Sequence, residues 1–186
     1  MFSHIIAVTA IAVTAATCSM PTASAVTAPG ESSLNEATRA TPVELSAFFG
    51  RTVEGNTFTI RSAFDSNKCL DVYGSGEGPW VQAWTCNGQA NQQWYFVWYE
   101  KSYNWEVRSA DTWCVDSRNG RGGSLEEQPC TGAATQRFNV YPVDSTLVFE
   151  SATHPNQVWD IYDHGRGTTV QLWDYNRVPH QRWTHA

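Results

Sequence analysis

The sequence predicts an all-β domain made of three repeats, preceded by a short N-terminal extension. Three observations support this fold class. Short motifs recur at a spacing of about 45 residues, which indicates repeated structural units. Segments rich in β-branched and aromatic residues alternate with clusters of Gly, Asn, Asp and Ser, as in short strands joined by turns. No long amphipathic helix follows residue 55. The units cover roughly 56–99, 100–144 and 145–186.

The repeated motifs fix the register of the three units. An aspartate recurs as Asp71, Asp116 and Asp160, and a Gln-x-aromatic motif recurs as Gln92–Trp94, Gln136–Phe138 and Gln181–Trp183. We expect the three aromatic residues to lie in the core. Three units are too few for a propeller, which needs about four blades or more. We therefore predict one threefold barrel capped by hairpins.

The N-terminus has the pattern of a secretory signal peptide. Residues 1–30 carry no charged side chain, and the apolar run 5–16 is too short to span a bilayer. The small residues at 23–25 resemble a cleavage site, so we predict a signal peptide over 1–25 and a secreted, extracellular protein. A lipoprotein signal ending at Cys18 is the alternative. No other segment predicts membrane insertion.

Residues 26–55 are interpreted as a linker that contains one short helix at about 42–49. Thr41 and Glu44 form a capping-box pattern, and Pro42 is suited to the first helical position. Gly50 would end the helix. The helix could pack against the main domain or dock a protein partner.

Four cysteines remain after the leader, and an even number in a secreted chain suggests disulfides. Cys69 and Cys86 lie at the two ends of a turn in the first unit, and Cys114 and Cys130 hold the same places in the second. In the third unit both places have lost the cysteine. A pair that is lost together indicates bonding within a unit, so we predict Cys69–Cys86 and Cys114–Cys130.

The composition excludes several classes of function. The net charge of −6 and the lack of a basic run argue against nucleic acid or an anionic membrane as the partner. The histidines show no metal-ligand spacing, and no catalytic or phosphate-binding motif is present, so neither a metal nor a cofactor is expected. The adjacent acids Glu126 and Glu127 are expected to form a solvated pair in a loop. The aspartate repeat suggests one carboxylate for each unit.

The motifs C-x-D, Q-x-W-x-C and N-Q-x-W resemble those of the ricin B-type lectin family. The resemblance extends over residues 56–186 and implies a β-trefoil of three Q-x-W repeats that binds carbohydrate. The residue types suit a pyranose. A carboxylate accepts charge-assisted hydrogen bonds from hydroxyls, an aromatic ring covers the apolar face, and amides both donate and accept.

The resemblance assigns a role to five residues of the first repeat. Asp71 would accept from sugar hydroxyls and Trp84 would stack on the ring. Asn91 and Gln82 would bond hydroxyls, while Gln92 would help to orient the aspartate.

The third repeat keeps this pattern with one change. Asp160, Gln171, Trp173 and Gln181 match in type and spacing, whereas His180 stands at the place of Asn91. Histidine still donates and accepts hydrogen bonds, so a second sugar site is expected with a different preference or pH response.

The second repeat departs further. Asp116 remains, but Glu126, Gln128 and Thr135 replace the glutamine, the indole and the asparagine. We therefore expect the second repeat to be mainly structural.

Together these patterns predict a non-catalytic secreted lectin for galactose-type or xylan-type glycans. The alternatives are a glycan-targeting subunit of a larger toxin or hydrolase assembly, a trefoil protease inhibitor and a glycosidase, which would need two carboxyl groups in one site.

Overall fold

The computed structural model describes residue 34, residues 37–74 and residues 79–185, which form a 12-stranded antiparallel sheet. The signal peptide predicted for 1–25 lies outside these residues. The strands are β1 Ile60–Ser62, β2 Lys68–Tyr73, β3 Trp80–Thr85, β4 Trp94–Tyr99, β5 Asn104–Ser109, β6 Cys114–Asp116, β7 Glu126–Gln128, β8 Phe138–Val143, β9 Thr146–Ser151, β10 Gln157–Ile161, β11 Val170–Asp174 and β12 Trp183–His185.

Six of these strands close into a barrel. β4 pairs with β5, β5 with β8, β8 with β9, β9 with β12 and β12 with β1. The bridge between Phe58, just before β1, and Trp94 of β4 completes the ring. Closure leaves the barrel without an exposed edge. The sequence prediction of an all-β threefold fold is confirmed.

The other six strands form three hairpins, β2–β3, β6–β7 and β10–β11. Neighbouring hairpins meet through bridges, and one bridge of each pair falls at a matching place of the repeats: Trp80 with Glu126, Ser124 with Gln171, and Thr169 with Gln82. The contacts between repeats therefore include Gln82, Glu126 and Gln171, which are the residues paired with the aspartates of the hairpins.

The barrel interior is filled by aromatic side chains. Trp94, Phe138 and Trp183 are fully buried, as predicted for the aromatic residue of each repeat. Trp105 and Trp159 are buried with them, and the Trp159 ring stacks on Phe149 at 4.3 Å between centroids.

Both predicted disulfides are confirmed, since the structure joins Cys69 to Cys86 and Cys114 to Cys130. In the third repeat Val158 and Tyr175 stand at these places and are buried in a small apolar cluster. Apolar packing thus replaces the missing cross-link.

An α-helix, α1, spans Pro42–Phe49 and packs against the barrel. Its capping box forms between Thr41 and Glu44, and Gly50 adopts the left-handed conformation that ends it. Leu45 and Phe49 lie in the main core. Among the described residues, no helix has the length and apolar character required to cross a bilayer.

The residues before α1 also contact the domain. The backbone carbonyl of Ala40 accepts from the indole of Trp105 at 2.9 Å, and its N–H donates to the carbonyl of Val140. The region read as a linker thus contributes core contacts at Ala40, and Leu34 is buried in the smaller apolar cluster.

The prediction of a solvated pair at Glu126 and Glu127 is wrong. Both residues lie in β7, and Glu127 is buried with its backbone N–H bonded to the carbonyl of Pro79. Its side chain lies near Ser109 and Asp111, on the opposite face of β7 from Glu126. Burial raises the pKa of Glu127, and the nearby charge of Asp111 acts in the same direction.

Leu45→Ala should lower the free energy of unfolding by about 2–5 kcal/mol, because it leaves a cavity at a fully buried position. Val43→Ala in the same helix is the matched control. Val43 is 78% exposed, so its change should stay within about 0.5 kcal/mol. Denaturant unfolding checks both variants, and equal small effects would show that α1 does not contribute to the core.

Glu127→Gln should raise the melting temperature at pH 7 and leave it unchanged near pH 4. A raised pKa means that the folded state resists ionisation, so wild-type stability falls as pH rises from the usual value of 4.5 through the raised one. The exposed Glu100→Gln is the control and should have no effect at either pH. A gain that persists equally at pH 4 would contradict this account.

Candidate functional site

The first candidate site is centred on the buried carboxylate of Asp71 in β2. Its Oδ1 accepts from Gln82 Nε2 at 2.7 Å. Its Oδ2 accepts from Asn91 Nδ2 at 2.7 Å and from Gln92 Nε2 at 2.8 Å. Three amide donors therefore fix both oxygens, and charge-assisted bonds of this kind hold the carboxylate in one orientation.

Strand register brings these side chains together. In the β2–β3 hairpin Asp71 lies opposite Gln82, with Cys69 opposite Trp84 on one side. Side chains of directly paired residues point to the same face. Trp84 therefore lies on the face of the Asp–Gln pair, and it is 50% exposed.

A short 3-10 helix, Ala90–Gln92, supplies the two remaining amides. Gln92 is buried, and its amide also donates to the carbonyl of Thr85 and accepts from the N–H of Asn87. Gln92 thus ties the site to the turn after β3, whereas Asn91 remains partly accessible.

These residues line an open cleft of about 280 Å³. Polar side chains and the Trp84 indole line it together. The lining residues are Asp71, Val72, Tyr73, Gly74, Gln82, Trp84, Asn87 and Asn91.

The third repeat builds a related site around Asp160. Its Oδ1 accepts from Gln171 Nε2 at 3.0 Å, and its Oδ2 lies 2.9 Å from His180 Nδ1. Gln181 was expected to support the aspartate. Its amide instead donates to the carbonyl of Asp174 and accepts from the N–H of Asn176.

Trp173 is half-buried beside this site and is braced by the second repeat. The guanidinium of Arg121 lies 4.2 Å from the ring centroid, and Gly122 approaches the ring so closely that an added Cβ would touch it. Arg121 also pairs with Asp174 at 2.7 Å, and this hydrogen bond lowers the pKa of Asp174. Trp173 is therefore less free to move than an exposed indole.

The cleft of the third repeat has a volume of about 230 Å³ and contains a second acid. Asp163 lines it together with Asp160, so the expectation of one carboxylate for each unit is wrong here. The other lining residues are Tyr162, His164, Gln171, Trp173, Asn176 and His180.

Tyr73 and Tyr162 are among the lining residues that were missed from the sequence. Each stands two residues after the aspartate of its repeat, and each is more than half exposed. The recurrence of Asp-x-Tyr in repeats one and three, with Arg118 at this place in repeat two, was the signal that could have identified them.

In the second repeat the aspartate has different hydrogen-bond partners. Asp116 lies opposite Glu126 and accepts from Gln136 at 3.1 Å, but Arg118 also holds it through its backbone N–H and its guanidinium. Gln128 stands where the other repeats carry an indole.

The one grouping of possible metal ligands in the described part of the chain comprises Glu106, Cys114 and Cys130. The two sulfur atoms form a disulfide, so they do not provide thiolates. Glu106 is paired with Arg108 at 2.6 Å. These residues do not suit a metal centre.

The family model of the ricin-type beta-trefoil lectin domain matches residues 56–184. The comparison with curated proteins finds none that matches the chain.

Solved structures share the fold at low sequence identity. The designed threefold-symmetric protein ThreeFoil is 18% identical, with a TM-score of 0.64, over 70% of this chain and 97% of ThreeFoil. A Macrolepiota procera ricin B-like lectin in complex with lactose is 22% identical, with a TM-score of 0.59, over 70% of this chain and 94% of the lectin. A mosquitocidal holotoxin is 17% identical, with a TM-score of 0.65, over 72% of this chain and only 17% of the toxin.

Asp71→Ala should lower the free energy of unfolding by about 1–3 kcal/mol, because three amide donors lose their acceptor. Asp71→Asn should cost less, since rotation of the Gln82 amide restores a donor–acceptor match. Denaturant unfolding of the two variants checks this order, and an equally stable Asp71→Ala protein would show that the network does not stabilise the fold.

Proposed function

The chain belongs to the ricin-type β-trefoil lectin family, and on this premise we propose that it binds carbohydrate at repeats one and three without altering it. The observation that carries the proposal is the pairing, in each of these clefts, of a fixed aspartate with an accessible indole. Asp71 and Trp84 form this pair in repeat one. Asp160 and Trp173 form it in repeat three.

In repeat one, a pyranose would lie with its apolar C–H face against Trp84. A carboxylate has about four acceptor positions, and three amides occupy part of that capacity in Asp71. Sugar hydroxyls would bond the remaining capacity of Asp71 and the amide oxygens of Gln82 and Asn91. Gln92 would not touch the sugar but would position the aspartate.

In repeat three, His180 takes the place of Asn91 and bonds Asp160 through Nδ1. Its second ring nitrogen offers a sugar hydroxyl either a donor or an acceptor, depending on the tautomer. Because Arg121 braces Trp173, the stacking surface is set before the ligand arrives. Such preorganisation reduces the entropy lost on binding.

The second repeat is proposed to be structural. Arg118 neutralises Asp116 and stands at the place of the cleft tyrosines, while Gln128 offers no stacking surface. Two binding repeats on one domain would gain affinity for a surface that presents many glycans.

The protein is proposed to be secreted. Its two disulfides fit an oxidising compartment, and the leader pattern at 1–25 agrees with export.

Galactose-type and xylan-type glycans are the proposed ligands. Because Asp160 and Asp163 share a cleft, release of reducing sugar from these glycans would contradict a purely binding function.

A second candidate is a glycan-targeting subunit of a larger assembly. The chain corresponds to only 17% of the mosquitocidal holotoxin, in which this fold is one part of a longer protein. Purification of the native protein tests this candidate, since recovery as a free monomer would argue against a partner.

The double variant Asp71→Ala, Asp160→Ala should lose binding on an array that carries galactose-terminated glycans and xylan fragments. Each single variant should keep part of the avidity, because one site remains in each. Asp116→Ala is the matched control in repeat two and should bind like the wild type. Circular dichroism must show that each variant is folded, and unchanged binding by the folded double variant would refute the site assignment.

A further inference from the structure

Repeat one carries an exposed aromatic pair beside its cleft. Tyr73 and Trp80 lie opposite each other in the β2–β3 hairpin, with ring centroids 6.0 Å apart and planes that differ by 13°. They are 59% and 54% exposed. Large aromatic side chains grouped at a surface often mark a binding site.

The position of Trp80 is specific to repeat one. In the matching bridges between neighbouring hairpins, Trp80 corresponds to Ser124 in repeat two and to Thr169 in repeat three. The threefold architecture does not require an aromatic residue there, because the other two repeats form the same bridge with small side chains. Packing between the hairpins therefore does not explain why repeat one has an indole at this position.

The aromatic pair continues the proposed sugar site along the strand. Trp80, Gln82 and Trp84 alternate along β3 and share the face that the burial pattern leaves accessible. Alternate residues of a strand are about 6.6 Å apart. The Asp71–Gln82 pair thus lies between an indole on one side and the Tyr73–Trp80 pair on the other, at a distance comparable to one sugar unit.

Polar groups of repeat two border the far side of Trp80. Trp80 is bridged to Glu126, whose Oε1 accepts from Asn119 Nδ2 at 2.9 Å. Asn119 is exposed and Glu126 is partly so. A carboxylate and an amide next to an aromatic surface are the groups that a second sugar ring requires.

We propose that Tyr73 and Trp80 form a second sugar subsite, so that repeat one binds two consecutive units of a glycan chain. The first unit occupies the Asp71 cleft. The second stacks on the Tyr73–Trp80 pair and bonds Glu126 and Asn119 through its hydroxyls. Repeat three, with Thr169 in this place, binds a single unit. This inference rests on the proposed function and specifies the ligand of the same site.

Calorimetric titration of a protein that carries Asp160→Ala isolates repeat one. Two series of probes are compared. The first consists of the monosaccharide galactose and the disaccharides lactose and galactobiose, and the second consists of xylose and xylobiose. In the series that binds, the disaccharide should bind more tightly than the monosaccharide. Trp80→Ala should weaken disaccharide binding by about 3- to 10-fold, in line with the value of an aromatic contact, and leave the monosaccharide unchanged.

Two further variants make the result specific. Trp80→Phe keeps a stacking surface and should retain most of the disaccharide affinity. Tyr103→Ala removes an equally exposed aromatic residue outside the clefts and should change neither affinity.

The outcomes separate this inference from the function on which it rests. Equal affinity for mono- and disaccharide, or a disaccharide affinity that Trp80→Ala does not change, overturns the second subsite while the lectin function stands. Failure of every saccharide to bind the protein with both aspartates intact overturns the proposed function, and the subsite with it.

Discussion

A buried glutamine in each repeat supports the rest of the molecule. Its side-chain oxygen accepts a backbone N–H from the turn that follows the hairpin, and its amide donates to a carbonyl just before that turn. This pair of hydrogen bonds recurs at Gln92, Gln136 and Gln181. Two residues later comes the aromatic side chain that fills the barrel. One tripeptide thus joins the core to the outer hairpin, and the aspartate depends on that hairpin for its position.

On this common scaffold the three repeats have diverged where the aspartate is contacted. Repeat one surrounds Asp71 with amides, repeat three places His180 against Asp160, and repeat two closes Asp116 with Arg118. Each change alters the partner of the carboxylate and leaves the glutamine bonds intact. Threefold folding and the differences between the sites are therefore controlled by separate residues.

Much of the fold and of the candidate sites could be predicted from sequence, because the contacts that determine them are local or repeat with a fixed spacing. The paired loss of two cysteines indicated both disulfides, and the shared spacing of Asp, Gln and Trp indicated that repeat three resembles repeat one. Contacts between repeats have no such signal. β7 pairs with a strand of repeat one, and the bracing of Trp173 by Arg121 joins repeats two and three. Asp163 enters its cleft through a loop conformation that no motif encodes.

Sugar rings are proposed to contact the indoles of repeats one and three. Each indole N–H gives its own NMR signal in a nitrogen-labelled sample, and the signals are assigned by single substitutions. On titration with a glycan that binds, we expect shifts at Trp84 and Trp173, and no change at the core residues Trp94 and Trp183. Binding that leaves the Trp84 and Trp173 signals unmoved would contradict the proposed contact.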